Sequence, residues 1–163
     1  MLTSEQLVQL YLNRINAYNK EGPAINALIS INPNVLEIAR ERDRNRPENP
    51  DSLLYGFPII LKDNFDTADI PTTSGSDVLA GSLPPDDAFT VKQFRDAGAI
   101  ILGKANMSEF SLSSGRLGYS SLGGLTRNPY NLNRDASGSS SGSAAAIAAN
   151  FATLATGSDT AGA

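Results

Sequence analysis

An α/β fold with a mixed central sheet covered by helices is predicted by three features of the sequence. An apolar run that reads as a strand, residues 57–62, is followed by a helix pattern over 88–97 and then by a second apolar run, 99–102. Strand, helix and strand in that order build a parallel or mixed sheet with a helix packed on it. Amphipathic and Ala-rich helix patterns nearer the two ends supply further covering layers.

The elements follow in chain order. Thr3 can cap a helix running to Tyr18, Gln6 stands where a capping box requires it, and Leu7, Leu10, Tyr11 and Ile15 share one face. Gly22-Pro23 ends that helix. Residues 27–31, Ala-Leu-Ile-Ser-Ile, have the length and character of a strand. A second helix is predicted after Asn32 with Pro33 early in its first turn, where a missing N–H is harmless. Its charged stretch from Glu37 to Arg46 reads as a solvated face. Pro47, Pro50 and Asp51 mark a loop, and Phe57-Pro58-Ile59-Ile60-Leu61-Lys62 is a strand ending on a lysine. Residues 63–86, rich in Thr, Ser, Gly and Pro, have the length of a functional loop rather than a connector. Asp86-Asp87 is placed to cap the helix over 88–97, and Gly98 closes that helix in the left-handed conformation. Residues 111–143 are Gly- and Ser-rich, Ala144-Ala145-Ala146-Ile147-Ala148-Ala149 is small-faced and helix-forming, and 151–156 reads as a last buried strand.

Composition narrows the chemistry. With 163 residues the chain has the size of one domain or a large piece of one. A formal net charge of −4 argues against a nucleic-acid-tracking surface, and no apolar run reaches membrane-spanning length. The start lacks the pattern of a secretory signal, so a cytoplasmic location is expected. There is no Cys and no His, which removes Cys nucleophiles, Ser-His-Asp triads and His-ligated zinc from these residues. Any base must then be Asp, Glu or Lys, and neither a metal nor another cofactor is expected.

The chemistry-bearing stretch is Ser137-Gly138-Ser139-Ser140-Ser141-Gly142-Ser143, which opens the Ala-rich helix. A Gly/Ser loop at a helix amino end offers N–H groups and hydroxyls to an anion. A phosphate cradle is disfavoured because no Gly-Lys-Ser/Thr follows and no G-x-G-x-x-G spacing fits. A flexible loop with a Ser cap is the plainer reading of this run alone.

Six ordered blocks over residues 56–163 carry a resemblance to the amidase-signature family. They are Gly56-Phe57-Pro58-Ile59-Ile60-Leu61-Lys62-Asp63-Asn64; Thr72-Thr73-Ser74-Gly75-Ser76; Gly103-Lys104-Ala105-Asn106-Met107-Ser108-Glu109-Phe110; Arg127-Asn128-Pro129-Tyr130-Asn131-Leu132; the Gly/Ser loop; and Gly157-Ser158-Asp159-Thr160-Ala161-Gly162-Ala163. The resemblance implies the amidase-signature fold with only its amino-terminal part present, residues 1–50 forming a helical start and 56–163 a signature core. It implies cleavage of carboxamide C–N bonds through a Ser–cis-Ser–Lys centre and an acyl-enzyme, with a small-molecule amide as substrate. Nucleic acid and membrane are not implied as partners; the remainder of the amidase domain is, and a homodimer stays open.

Residue by residue, Lys62 resembles the family's buried general base, for which burial keeps an amine neutral. Ser139 matches the bridging Ser on a cis peptide, with Ser140 as its alternative and a substrate-binding candidate. The nucleophile belongs 24 residues further on, at position 163, which is Ala. The N–H groups of Thr160, Ala161 and Gly162, with that of Ala163, correspond to the oxyanion hole. Ser113 and Ser114 correspond to substrate-binding positions. Asp159 reads as an acceptor for loop amides and Glu109 as the maker of a local structural bond. Ser137, Ser141 and Ala161 replace family glycines, and strain is expected where such a site needs a positive φ. Ala163 has no nucleophilic atom, so the chain as given is expected to be inactive, by a deliberate Ser→Ala change or as a natural pseudoenzyme. A non-catalytic binding or interaction subunit is the rival reading.

Overall fold

The computed structural model describes residues 2–48, 50–112 and 116–160. Helix α1, Ser4–Tyr18, begins with the capping box: Gln6 N donates to Thr3 Oγ1 and Thr3 N to Gln6 Oε1, at 3.1 and 3.0 Å. The two N–H groups that the box leaves open, Ser4 and Glu5, donate to Asp43 at 2.7 and 2.9 Å. Asp43 lies on α2, Val35–Arg44, so one helix caps the next. The charge run over 37–46 therefore holds one structural carboxylate, and its Arg40 and Arg44 pair with Glu5 and Glu37 at the surface. Pro33 stands outside α2, not in its first turn. Asn32 accepts from Asn34 N at 2.9 Å and donates to Ile101 O at 3.2 Å, and this turn delays the helix to Val35.

The central sheet has strands β1 (Leu28–Ile31), β2 (Pro58–Lys62), β3 (Ile100–Ala105) and β8 (Leu154–Ala155) in the order β1-β3-β2-β8. β1 runs antiparallel to β3, whereas β3 and β8 run parallel to β2, so the sheet is mixed as predicted. β3 continues three residues past Leu102. Gly103 allows this, because a Cβ there would lie 2.3 Å from Ser30 O on β1. Helix α3, Phe89–Asp96, links β2 to β3 and ends at Gly98 with φ +81°. Asp87 does not cap it. Its carboxylate instead accepts from Ala68 N and Arg95 Nε, at 2.9 and 2.8 Å, which ties the long loop to the helix.

Two small hairpins, β4/β5 (Tyr119–Ser120 with Gly124–Leu125) and β6/β7 (Arg127–Asn128 with Asn131–Asp135), occupy part of the Gly/Ser-rich third. Helix α4, Ser141–Ala148, starts inside the Gly/Ser loop, three residues before the alanines. The strand read over 151–156 shrinks to Leu154–Ala155, because Phe151 closes α4 through its N–H to Ala146 O and is fully buried. One face of the sheet packs Ile60, Leu102 and Ala105 against α1, α2 and α4; the other packs Ile59, Leu61 and Ile101 against α3 and the long loop. Strand alternation in β2 puts Lys62 on the α4 face, two residues after Ile60.

The join between α4 and the sheet is a backbone-to-backbone contact. Gly142 N donates to Asn106 O at 2.9 Å, and a Cβ on Gly142 would lie 2.3 Å from that oxygen and 2.4 Å from Ala27 O. Backbone cannot swing aside as a side chain can. Gly142→Ala is expected to destabilise the protein by about 3 kcal/mol, read as a lowered thermal midpoint, whereas an unchanged midpoint would show that α4 does not press on the sheet as described.

Candidate active site

Lys62 ends β2 with its side chain wholly shielded, 0% exposed. Its backbone N–H donates to Thr156 Oγ1 at 2.9 Å, which fixes the strand end against the segment after β8. Its Nζ lies 2.5 Å from Ser139 Oγ and 2.7 Å from Ser158 Oγ. Ser139 sits just before α4, preceded by a cis peptide bond from Gly138, and its carbonyl accepts from Ser108 N at 3.1 Å. A Cβ on Gly138 would lie 2.3 Å from Ser108 Oγ, so a side chain there would displace that hydroxyl. Ser137 adopts φ +59°, so one of the two Ser-for-Gly positions does carry the left-handed conformation, at a cost of about 1 kcal/mol. Ser141 lies in α4 and carries none.

Ser140 turns toward the facing segment. Its Oγ accepts from Ser158 N at 3.2 Å and lies 3.3 Å from Ser158 O, so it grips that residue's backbone on both sides. Asn64 Nδ2 also donates to Ser158 Oγ, at 3.3 Å. Ser158, Asn64 and Thr156 did not figure among the expected site residues. The signal for Ser158 was present: it is a hydroxyl inside the last block of the resemblance, two residues before Thr160. A cleft of about 310 Å³ opens onto this group, lined by residues 136–140, Ala144, Ser158 and Asp159.

Burial pushes the Lys62 amine below the ordinary lysine value of 10.5, while the charge of Asp159 pulls it back up. A neutral amine has one lone pair, and the hydroxyl at 2.5 Å can donate to it. The arrangement therefore suits an amine that accepts a proton from a hydroxyl at the edge of an open cleft. Of the expected oxyanion-hole residues, Thr160 directly follows cleft-lining Asp159; Ala161 and Gly162 lie outside the described residues, as do Ala163, Ser113 and Ser114. Glu109 makes its local bond, accepting from Ser121 N at 2.8 Å. Among the described residues no group of His, Cys, Asp and Glu is placed to hold a metal ion, and no helix is long and apolar enough to cross a membrane.

Comparison with known proteins adds a family. The family model described as Amidase matches residues 6–163. A putative amidase of Schizosaccharomyces pombe is 43% identical over 99% of this chain, which spans 28% of that relative's length. One subunit of the glutamyl-tRNA(Gln) amidotransferase of Symbiobacterium thermophilum is 44% identical, again over 99% of this chain and 33% of its own length. Among solved structures, native peptide amidase from Stenotrophomonas maltophilia superposes with a TM-score of 0.89 at 47% identity, covering 94% of this chain and 32% of that one. An amidase family protein from Bacillus anthracis gives a TM-score of 0.92 at 45% identity, covering 96% and 32%.

The depressed Lys62 value has a consequence for stability. The unfolded chain keeps this proton up to pH 10.5 and the folded protein loses it earlier, so folding releases a proton between those two values. Stability from this group therefore rises with pH across that window, by up to about 1.4 kcal/mol per pH unit. Lys62→Met is expected to flatten the rise of the thermal midpoint from neutral to alkaline pH. Parallel curves for parent and variant would contradict the assignment.

Proposed function

The chain belongs to the amidase family, and we propose that it carries the lysine and bridging-serine half of an amide-hydrolysing centre whose nucleophile position is Ala163. The observation that carries this reading is the 2.5 Å approach of buried Lys62 Nζ to Ser139 Oγ at the rim of a cleft. A neutral Lys62 takes the Ser139 proton as Ser139 takes that of a hydroxyl at position 163. The alkoxide so formed attacks the carbonyl carbon of a small carboxamide. The tetrahedral oxyanion lies against the N–H groups of Thr160, Ala161 and Gly162. The proton then returns through Ser139 to the leaving nitrogen, ammonia or an amine departs, and water clears the acyl-enzyme by the same relay.

In this scheme Ser140 keeps the Ser158–Thr160 segment against the bridging serine, while Ser113 and Ser114 contribute to the substrate wall. No metal or other cofactor has a step, and the protein acts in the cytoplasm on a small-molecule amide. The remainder of the amidase domain completes the pocket, since the chain spans 28–33% of the curated relatives named above. With Ala at position 163 the relay has no terminal hydroxyl, so substrate binds and no acyl-enzyme forms. The second reading, a non-catalytic amidase-like binding subunit, is favoured by that same alanine.

Ala163→Ser in the whole protein separates the two. The expected outcome is release of ammonia or amine from simple amides, with a one-to-one acyl adduct visible by intact mass. Adding Lys62→Met or Ser139→Ala is expected to remove about 10³-fold of that rate. A folded Ala163→Ser protein that neither hydrolyses amides nor acylates would decide for the binding subunit.

A further inference from the structure

Lys62 Nζ has two hydroxyls against it, at 2.5 and 2.7 Å, and the proposed relay uses only the first, that of Ser139. Lys104, the other fully buried lysine, is surrounded differently. Its Nζ donates to Phe65 O and Thr72 Oγ1, both at 2.8 Å, and lies 3.5 Å from Asp63 Oδ1. Those oxygens, one of them a carboxylate's, suit an ammonium with three protons to give. A neutral Lys62 has two protons and one lone pair, so one of its hydroxyl neighbours donates to the nitrogen and the other accepts from it.

Burial decides which does which. Ser139 is 2% exposed, and among the described residues its hydroxyl meets only Lys62 Nζ. If it accepted from the amine, its own O–H would be left unpaired in the interior, which is costly. Ser158 is half-buried and lines the cleft, so its O–H can turn to water or to substrate while its oxygen accepts. Asn64 Nδ2 donates to that same oxygen at 3.3 Å. With an N–H from Lys62 as well, both acceptor sites of the Ser158 hydroxyl are filled and its proton is directed away from the amine. The backbone is anchored without this side chain: Ser140 Oγ holds Ser158 N and O, and Thr156 Oγ1 holds Lys62 N.

We propose that Ser158, itself set by Asn64, is a positioning residue for Lys62: its oxygen accepts one N–H of the amine and so aims the lone pair at Ser139. The proposal rests on Lys62 being the proton acceptor of the relay. The same oxygen serves after proton transfer, when the ammonium has a further proton to place and depends on acceptors more than the amine does. The charged group acting on Lys62 is Asp159.

The test measures kcat, KM and the pH dependence of kcat/KM in the whole protein carrying Ala163→Ser, where the acid limb reports the free enzyme's base. S158A leaves the amine unaimed and is expected to lower kcat by about 10-fold or more with KM nearly unchanged. It also removes an acceptor that favours the ammonium, so the acid limb moves down by about half a pH unit. S158T keeps the hydroxyl and is expected to recover most of the rate and the parent limb. N64L is expected to give a smaller loss of the same kind, in kcat and not in KM, and it serves alone if S158A does not fold. NMR titration of Lys62 in S158A with Ala163 retained is expected to show the same downward shift. If Ala163→Ser is inert, the hydrolase reading fails while this titration still decides the present proposal. A folded S158A or N64L with kcat and the Lys62 titration unmoved, or an S158T no better than S158A, overturns it.

Discussion

A charged lysine amine taken out of water costs several kcal/mol unless the protein replaces its hydration. Lys62 is fully shielded, and two hydroxyls, at 2.5 and 2.7 Å, stand where water would be. Burial favours the neutral amine, and Asp159 opposes that tendency from the cleft side. The remaining features of the site follow from holding these groups together. Ser139 must be brought to the amine from the start of α4, and Ser158 from the segment after β8. Each is fixed by backbone contacts: Ser139 through Ser108, Ser158 through Ser140.

The sheet makes that convergence geometrically possible. β2 is buried along its whole length and delivers Lys62 at its end, while its two parallel neighbours run in the same direction beside it. α4 presses on the sheet's edge through Gly142, whose missing side chain lets helix backbone meet the backbone of Asn106 and Ala27, which directly flank β3 and β1. Asn106 closes the other side. Its amide donates to Asn26 O and Gly124 O, and its carbonyl accepts from Met107 N and Ser120 Oγ, so all its main hydrogen-bonding capacity is used. One side chain thereby links the approach to β1, the end of β3 and the first hairpin.

What was legible in the sequence is what local chemistry determines. The capping box at Thr3, the lysine ending an apolar strand, the helix stop at Gly98 and the serine loop before α4 were all readable from neighbouring residues. The hairpins were not, because their strands of two to five residues show no period and β7 is exposed throughout. The start of α4 was placed late because Gly142 is a poor helix former that is there for close packing, a tertiary reason invisible to propensity. Pro33 was misplaced because the Asn32 side chain takes Asn34 N in a turn that delays α2, and Asp87 because Ala68 N and Arg95 claim its carboxylate. Ser158 and Lys104 stood inside recognised blocks, yet only the folded arrangement shows which amine or carboxylate each one meets.

The central claim is that Lys62 is a neutral amine receiving a hydrogen bond from Ser139. Neutron diffraction from crystals of the whole protein in deuterated, mildly alkaline buffer reads this directly. The account predicts two deuterons on Nζ and a deuteron on Ser139 Oγ directed at the nitrogen. Three deuterons on Nζ, with the Ser139 deuteron pointing elsewhere, would contradict it.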